Sequence, residues 1–150
     1  MSYKRVVFVC TGNTCRSPMA MALLRSMPEM DDIEILSRGL VVLFSEPANP
    51  KACDVCINHN LNLEDHRTLP LKNTDITEDT LVLTMTESQK DIVSSRFGEG
   101  THVFALKEYV GEQGDVSDPY GGPITVYEDC FVELSRLVKK LTYKLGPGAV

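Results

Sequence analysis

The feature that most constrains the fold is an apolar run near the start of the chain that leads directly into a tight, polar loop. Residues 5–9 (Arg-Val-Val-Phe-Val) are followed by Cys-Thr-Gly-Asn-Thr-Cys-Arg-Ser at 10–17 and then by Pro18. Such a run is typical of a strand buried on both faces of a parallel sheet. Pro18 and the Met-, Ala- and Leu-rich residues after it predict a helix. Residues 10–17 are therefore predicted to connect a strand to a helix N-terminus.

This loop combines the features of an anion site with a nucleophile. The free amides and positive dipole end of a helix N-terminus attract phosphate. Gly12 and Asn13 tolerate the positive φ angles that turn successive N–H groups towards one anion, and Arg16 can donate two parallel hydrogen bonds to its oxygens. The same positive field favours the thiolate of Cys10, to which the Ser17 hydroxyl can donate. The residues predicted to bind phosphate are Thr11, Gly12, Asn13, Thr14, Cys15, Arg16 and Ser17.

A cysteine and an arginine six positions apart also occur together by chance, so the flanking elements decide the interpretation. Here a strand precedes the pair and a helix follows it. A nucleotide-binding loop of the Walker type ends in Gly-Lys-Ser or Gly-Lys-Thr, and this loop has no such ending. The sequence thus indicates a phosphate-binding loop that carries its own nucleophile.

Strand and helix patterns alternate along the rest of the chain. This alternation predicts an α/β fold, a doubly wound parallel sheet with helices on both faces. Ligands bind such sheets beyond the carboxyl ends of the strands, which is where the predicted loop lies. The further strands are predicted at 33–37, 80–86 and 102–106, and the further helices at 49–60, 87–97 and 124–145.

Length and charge limit the organisation and the partners. A chain of 150 residues that is 43% hydrophobic fits a single domain spanning 1–150. A net charge of −6 argues against nucleic acid or an anionic membrane as a partner. The N-terminal apolar run is too short for a signal peptide or membrane span, so a cytoplasmic location is expected. The oligomeric state is left open.

Five cysteines are present, and without a secretory signal they are expected to be free thiols. Cys53, Cys56 and His59 could suggest a metal site. A structural zinc site needs four ligands, however, and these three do not share one helix face, so neither a metal nor a cofactor is expected. Cys10 and Cys15 flank one tight loop, an arrangement in which peroxide yields a reversible disulfide. Alternatively, Cys15 simply packs beneath the helix.

A thiolate that attacks phosphorus also needs an acid to protonate the leaving group. Asp118 lies in the Gly-, Pro- and Asp-rich segment 114–123, between the fourth predicted strand and the last helix. Loops of this composition are also ordinary turns. The residues alone therefore leave Asp118 either a general acid or a turn aspartate.

Residues 10–18 resemble the N-terminal signature of the low-molecular-weight protein tyrosine phosphatases. The resemblance implies a four-stranded sheet of order 2-1-3-4 and a metal-independent phosphatase that forms a phosphocysteine on Cys10 and acts on phosphorylated proteins. It further implies that Asp118 is the general acid, within an Asp-Pro-aromatic motif, and that His66 holds the phosphate loop from behind. The likeness continues in the family's order through 37–39, 46–50, 65–66, 81–85 and 118–120.

Three predicted specificity positions depart from the common tyrosine-phosphatase pattern. Thr14 stands where Ile or Leu is common, Leu43 stands near the position of an aromatic, and Tyr120 is the only aromatic after Asp118-Pro119. A phenyl phosphate needs an apolar, aromatic slot. The loop at 10–15 and the segments at 106–110 and 114–122 resemble the bacterial protein-arginine phosphatase branch, whereas 46–50 looks more like the tyrosine branch. The sequence therefore favours phosphoarginine, with phosphotyrosine as the alternative.

Two further classes of protein share features with this loop. Thioredoxin-coupled arsenate reductases resemble this loop but need additional cysteines after the third strand, where residues 84–88 (Thr-Met-Thr-Glu-Ser) have none. A phosphoprotein-binding module without activity would need neither Cys10 nor Asp118. Both alternatives are disfavoured.

Overall fold

The computed structural model describes residues 2–146. Its centre is a four-stranded parallel sheet in the order β2-β1-β3-β4, which confirms the predicted order. β1 lies in the interior of the sheet, where Val7 pairs with Leu36 on one side and Val82 on the other. The strands are β1 (Arg5–Cys10), β2 (Glu34–Gly39), β3 (Thr80–Thr84) and β4 (His102–Ala105).

Helices follow the strands as the alternating pattern predicted. One short helix was not predicted, and two 3₁₀ turns at Pro28–Met30 and Asn73–Asp75 complete the secondary structure. No helix within residues 2–146 is long and apolar enough to cross a membrane. The α-helices are α1 (Arg16–Arg25), α2 (Pro50–Asn58), α3 (Glu87–Phe97), α4 (Leu106–Tyr109) and α5 (Ile124–Leu145).

Two strands end earlier than predicted because a helix begins. β3 stops at Thr84, since the side chain of Thr86 caps α3 by accepting a hydrogen bond from Gln89 N at 3.1 Å. β4 stops at Ala105, whose N–H donates to Glu108 Oε1 at 3.2 Å in the short helix α4. In both places polar side chains take over the backbone hydrogen bonding at the strand end.

The central strand is apolar throughout because both of its faces are covered. Val6 and Phe8 belong to the larger core beneath α1, α2 and α5, whereas Val7 and Val9 belong to the smaller core on the other face, which includes Val93 of α3. All four strand residues are fully buried. Full burial of a side chain of this size contributes about 1.5–3 kcal/mol, so β1 is firmly anchored where it delivers Cys10 to the loop.

The last helix supplies one wall of the larger core, and its predicted apolar stripe is confirmed. Cys130, Leu137 and Thr142 are also buried and widen the buried face, but the residues of the predicted stripe recur every three or four positions, as a single helix face requires. They are Tyr127, Phe131, Leu134, Val138 and Leu141, with Leu145 partly buried.

Candidate active site

The loop after β1 wraps around the sulfur of Cys10. Cys10 ends the strand and is 3% exposed. Its Sγ accepts a hydrogen bond from the N–H of Asn13 at 3.2 Å and lies 2.9 Å from Ser17 Oγ. Of the two residues expected to allow a positive φ, Asn13 has one, at 63°, whereas Gly12 does not. α1 begins at Arg16. The thiol therefore sits at a helix N-terminus among hydrogen-bond donors.

The side chain of Asn13 is fully buried and holds this loop in shape. Its Oδ1 accepts from the backbone N–H of Leu69 at 3.0 Å. Its Nδ2 donates to Ser17 Oγ at 2.9 Å and to Ser37 Oγ at 2.6 Å. Sequence analysis assigned Asn13 only a backbone role, and its hydrogen-bonding partners are an addition from the structure. One N–H group of the amide thus ties the loop to the neighbouring strand β2, and the other ties it to the first turn of α1.

His66 lies behind the loop, where the family resemblance placed it. Its Nε2 is 2.9 Å from the carbonyl oxygen of Asn13, which can only accept, so Nε2 is the donor. Burial lowers the pKa of His66 below its ordinary value, against the opposing effect of this hydrogen bond. Neutral His66 protonated on Nε2 therefore holds the Asn13 carbonyl in place.

Arg16 and Asp118 meet at the mouth of the loop. The Arg16 guanidinium donates from Nη1 to the carbonyl oxygen of Val116 at 2.9 Å and places Nη2 3.6 Å from Asp118 Oδ2. The arginine side chain is only 6% exposed, whereas that of Asp118 is 53% exposed. Asp118 thus lies partly in solvent at the mouth of the loop, and its Oδ1 accepts from the N–H of Tyr120 at 3.1 Å.

The loop that carries Asp118 is fastened at two upstream points. The N–H of Val116 donates to the Met85 carbonyl at 2.9 Å. Asp115, for which the sequence gave no functional support, accepts from the N–H of Glu87 at 2.9 Å through Oδ1 and so caps α3. These bonds fix the loop against the carboxyl end of β3, so the position of Asp118 relative to Cys10 is set by the sheet.

Gln89 is a site residue that sequence analysis missed. Its Oε1 accepts from the N–H groups of Met85 and Thr86 at 3.0 and 3.1 Å, and its Nε2 donates to Thr11 Oγ1 at 3.1 Å. The Thr-x-x-Gln capping-box pattern at 86–89 is the signal that points to the first two bonds. The third bond connects α3 to the phosphate loop.

A cavity of about 380 Å³ opens above Cys10. It brings together the three residues predicted to determine specificity, Thr14, Leu43 and Tyr120. Four residues that were not predicted also line it, Val41, Val42, Phe44 and Glu46. Leu43, Phe44 and Tyr120 are each more than 70% exposed, and they therefore form a rim around the polar floor of the cavity.

Cys15 lies on the inner side of the loop. It is 3% exposed, and its Sγ is 3.7 Å from the hydroxyl oxygen of Tyr127 and 3.5 Å from Thr14 Oγ1. Burial raises the pKa of the Cys15 thiol. This packing agrees with a structural role, and a reversible disulfide between Cys10 and Cys15 stays a prediction.

Cys53, Cys56 and His59 do not converge. Cys56 is fully buried, and burial raises the pKa of its thiol to about 12. His59 instead lies 2.6 Å from Glu128 Oε1 and stacks on Phe131. Across residues 2–146, no group of three or more His, Cys, Asp or Glu side chains is arranged to hold a metal ion.

Comparisons with known proteins agree with this geometry. Residues 5–148 match the model of the low molecular weight phosphotyrosine protein phosphatase family. The chain is 40% identical to the low molecular weight protein-tyrosine-phosphatase PtpB of Staphylococcus haemolyticus, over 91% of this chain and 96% of that protein. It is also 40% identical to the protein-arginine-phosphatase of Bacillus subtilis, over 93% of this chain and 95% of that protein.

A solved structure is similar over the same extent. It is a cysteine-to-serine mutant of the YwlE arginine phosphatase with a phosphorylated active-site serine. The TM-score is 0.87 at 39% identity, and the match covers 94% of this chain and 95% of that one. The chain thus belongs to the low molecular weight phosphotyrosine protein phosphatase family and is a protein phosphatase.

Proposed function

We propose that this phosphatase removes phosphate from phosphoarginine in protein substrates. The observation that carries the proposal is the pair of oxygen-bearing side chains, Thr14 and Glu46, in the wall of the cavity that holds Cys10. Among the described residues Glu46 has no ion-pair partner. A carboxylate beside a phosphate loop repels the dianion, but it attracts a guanidinium group attached to that phosphate.

The guanidinium group of phosphoarginine offers N–H donors and positive charge, whereas the phenyl group of phosphotyrosine offers neither. Glu46 and the Thr14 hydroxyl can accept those N–H bonds, and a site built to pair with polar substrate groups discriminates strongly against analogues that lack them. Relatives named as arginine phosphatases support the same assignment.

The reaction follows from the positions of three side chains. The Cys10 thiolate attacks phosphorus in line, and an S–P bond forms as the P–N bond breaks. The electron pair of that bond remains on the guanidine nitrogen, which takes a proton from Asp118. The loop N–H groups and Arg16 hold the equatorial oxygens throughout.

The second half of the reaction restores the enzyme. Water attacks the phosphocysteine, gives a proton to the Asp118 carboxylate, and releases inorganic phosphate as the S–P bond breaks towards sulfur.

We extend the proposal to the whole domain. Residues 1–150 act as one catalytic unit without a metal or cofactor, since protein side chains fill every role in these steps.

Phosphotyrosine is the second candidate, and the rim favours it. Leu43, Phe44 and Tyr120 present exposed apolar surface around the cavity, and a phenyl ring can pack against such side chains. Phe44 supplies the aromatic that Leu43 does not. A relative of equal identity is named as a tyrosine phosphatase.

Release of phosphate from two peptides of identical sequence, one with phosphoarginine and one with phosphotyrosine, tests the proposal. We expect a higher kcat/KM for the phosphoarginine peptide. The Cys10→Ala variant is the control for spontaneous loss of the labile P–N bond. A higher kcat/KM for the phosphotyrosine peptide would reject the arginine assignment and leave the tyrosine one.

A further inference from the structure

A second polar cavity, of about 440 Å³, lies behind the phosphate loop. Three arginines line it, Arg25 from α1, Arg38 from β2 and Arg67 from the loop before β3. Its volume is in the range of small-molecule sites, about 300–1,000 Å³. Three guanidinium groups around one cavity are notable in a chain whose net charge is −6.

Each guanidinium keeps unused donors. Arg25 is anchored by the Ile35 carbonyl but uses only Nε and Nη2. Arg38 donates from Nε to Asp75 and from Nη1 to the carbonyl of Ser37, which leaves Nη2. Arg67 donates only from Nη2, to the Ser45 carbonyl. The remaining N–H groups have no acceptor within residues 2–146. Some N–H groups of each guanidinium thus hold the cluster in place, while the remaining N–H groups are free to bind a ligand.

The acidic groups nearby neutralise this cluster only in part. Asp75 pairs with Arg38 at 3.1 Å, and Glu34 is paired with Arg5. Asp65 lines the cavity but is exposed and has no ion pair among the described residues. Burial lowers the pKa of Arg25, and the neighbouring charge of Arg38 lowers it further. The cations therefore repel one another across the cavity, a repulsion that an anion would relieve.

Two further residues of this cavity also support the catalytic loop. Ser37 is 2% exposed, and its Oγ accepts from Asn13 while its own hydroxyl hydrogen has no acceptor in the described chain. His66 donates from Nε2 to the Asn13 carbonyl, and its Nδ1 has no partner within the described residues. No buried side-chain nitrogen or oxygen of residues 2–146 lacks a hydrogen bond. Nδ1 is therefore open to solvent, and both side chains line the cavity.

We propose that this cavity is a second phosphate-binding site, in which Arg25, Arg38 and Arg67 bind the phosphate group. Guanidinium forks suit phosphate oxygens in geometry and charge, and the Ser37 hydroxyl can add one more donor. A bound phosphate accepts from the Ser37 hydroxyl, and when it carries a proton its O–H can donate to the unprotonated Nδ1 of His66. It then contacts the same two side chains that hold Asn13, so its occupancy changes the catalytic loop from behind. The ligand is inorganic phosphate, the product of the reaction, or the phosphate of a small phosphomonoester that packs on Met21, Leu63 and Leu69. The proposal does not depend on which phosphorylated residue the enzyme prefers.

Binding is tested by NMR of the histidine rings, with the first anion site disabled by Arg16→Ala. The chain has three histidines, so His59 and His102 are internal controls. Inorganic phosphate is expected to shift the His66 ring resonances saturably and to leave the other two unchanged. Arg25→Gln combined with Arg67→Gln should weaken this binding at least about tenfold, since both charged hydrogen-bond donors to the phosphate are lost. Lys4→Gln combined with Lys139→Gln makes the same charge change elsewhere and should have no effect.

Kinetics give a second test, with p-nitrophenyl phosphate as the substrate. Phosphate at the catalytic site raises only the apparent KM, whereas phosphate at the second site is expected to change kcat. That change should disappear in the Arg25→Gln, Arg67→Gln variant, whose activity without phosphate should equal that of the wild type.

Adenosine monophosphate is titrated in parallel and its binding is followed at the His66 resonances. Tighter binding than that of phosphate identifies a phosphomonoester as the ligand, and weaker binding identifies free phosphate. An unmoved His66 resonance, or a shift that survives both arginine substitutions, would overturn the proposal.

Discussion

Cys10 Sγ lies 2.9 Å from Ser17 Oγ, and Ser17 is the donor of this bond when Cys10 is a thiolate, since a thiolate can only accept. Asn13 Oδ1 must accept from the N–H of Leu69, so Asn13 Nδ2 is the atom that donates to Ser17 Oγ. The Ser17 oxygen accepts this hydrogen bond, and its own hydrogen remains available to donate to the sulfur. Such a bond stabilises a thiolate more than a thiol because charge-assisted hydrogen bonds are stronger. Ser17 is therefore placed to stabilise Cys10 as nucleophile and as leaving group.

Ser17→Ala is expected to lower kcat by about 10- to 100-fold with little change in KM, the effect of one hydrogen bond to a charged group. Steady-state kinetics on p-nitrophenyl phosphate measure it. Ser37→Ala is the matched control, because Ser37 also accepts from Asn13 but is not hydrogen-bonded to Cys10. Equal losses in the two variants would show that Ser17 acts only by supporting Asn13.

Asp118→Asn is expected to slow the release of poor leaving groups much more than that of an activated aryl phosphate, since a stable leaving anion needs little protonation. The slope of log kcat/KM against leaving-group pKa measures the difference. Asp115→Asn is the control, because Asp115 caps α3 and makes no ion pair with Arg16. An equal loss of activity on all leaving groups in Asp118→Asn would show that Asp118 shapes the turn and does not protonate the leaving group.

Thr14→Ile is expected to lower kcat/KM on phosphoarginine peptides and to preserve or raise it on phosphotyrosine peptides. The isoleucine removes a hydroxyl and adds apolar surface to the cavity wall, and one pocket contact of this kind shifts the ratio by about 1–3 kcal/mol. Thr14→Val removes the hydroxyl at nearly constant shape, so it separates the loss of polarity from the gain in bulk. An unchanged ratio of the two kcat/KM values in both variants would show that Thr14 does not determine substrate specificity.

His66 is expected to make stability depend on pH. Burial holds its pKa in the folded protein below its ordinary value. The unfolded chain therefore binds the proton more readily, and stability increases with pH in this window. The contribution is present above about pH 6.5 and is lost as the pH falls through the folded-state pKa.

Urea unfolding at about pH 7.5 and about pH 5.5 measures this loss, on either side of the ordinary histidine pKa. His66→Gln keeps an N–H donor for the Asn13 carbonyl but does not titrate. The free energy of unfolding should therefore fall more for the wild type than for the variant. Parallel pH profiles would mean that His66 does not titrate differently in the folded protein.

The loop could be predicted from sequence because its determinants are local. The apolar run, the glycine and asparagine at the turn, and Pro18 act within a few residues of one another, and they place Cys10 and Arg16 together. The Asn13 network escaped prediction because its partners Ser37 and Leu69 are distant in sequence and meet it only through the sheet.

The residues that line the substrate cavity were harder to predict from the sequence, for a different reason. Residues 40–49 form an irregular segment without helical or strand periodicity, so no pattern indicated which side chains face the cavity. Leu43 was predicted there, but Phe44 and Glu46 were recognised only from the structure. Asp118 needed the family resemblance, because an aspartate in a Gly- and Pro-rich loop is also a common turn residue.

The central claim is that phosphate passes through the sulfur of Cys10, and trapping the phosphoenzyme tests it most directly. Wild-type enzyme quenched in denaturant during turnover should carry one phosphate, mapped by peptide mass spectrometry to Cys10. Cys10→Ser should accumulate phosphoserine at that position, as in the mutant of the related arginine phosphatase, and Cys10→Ala should carry none and turn over no substrate. Phosphate release by Cys10→Ala above the uncatalysed rate, or phosphate trapped on another residue, would contradict the account.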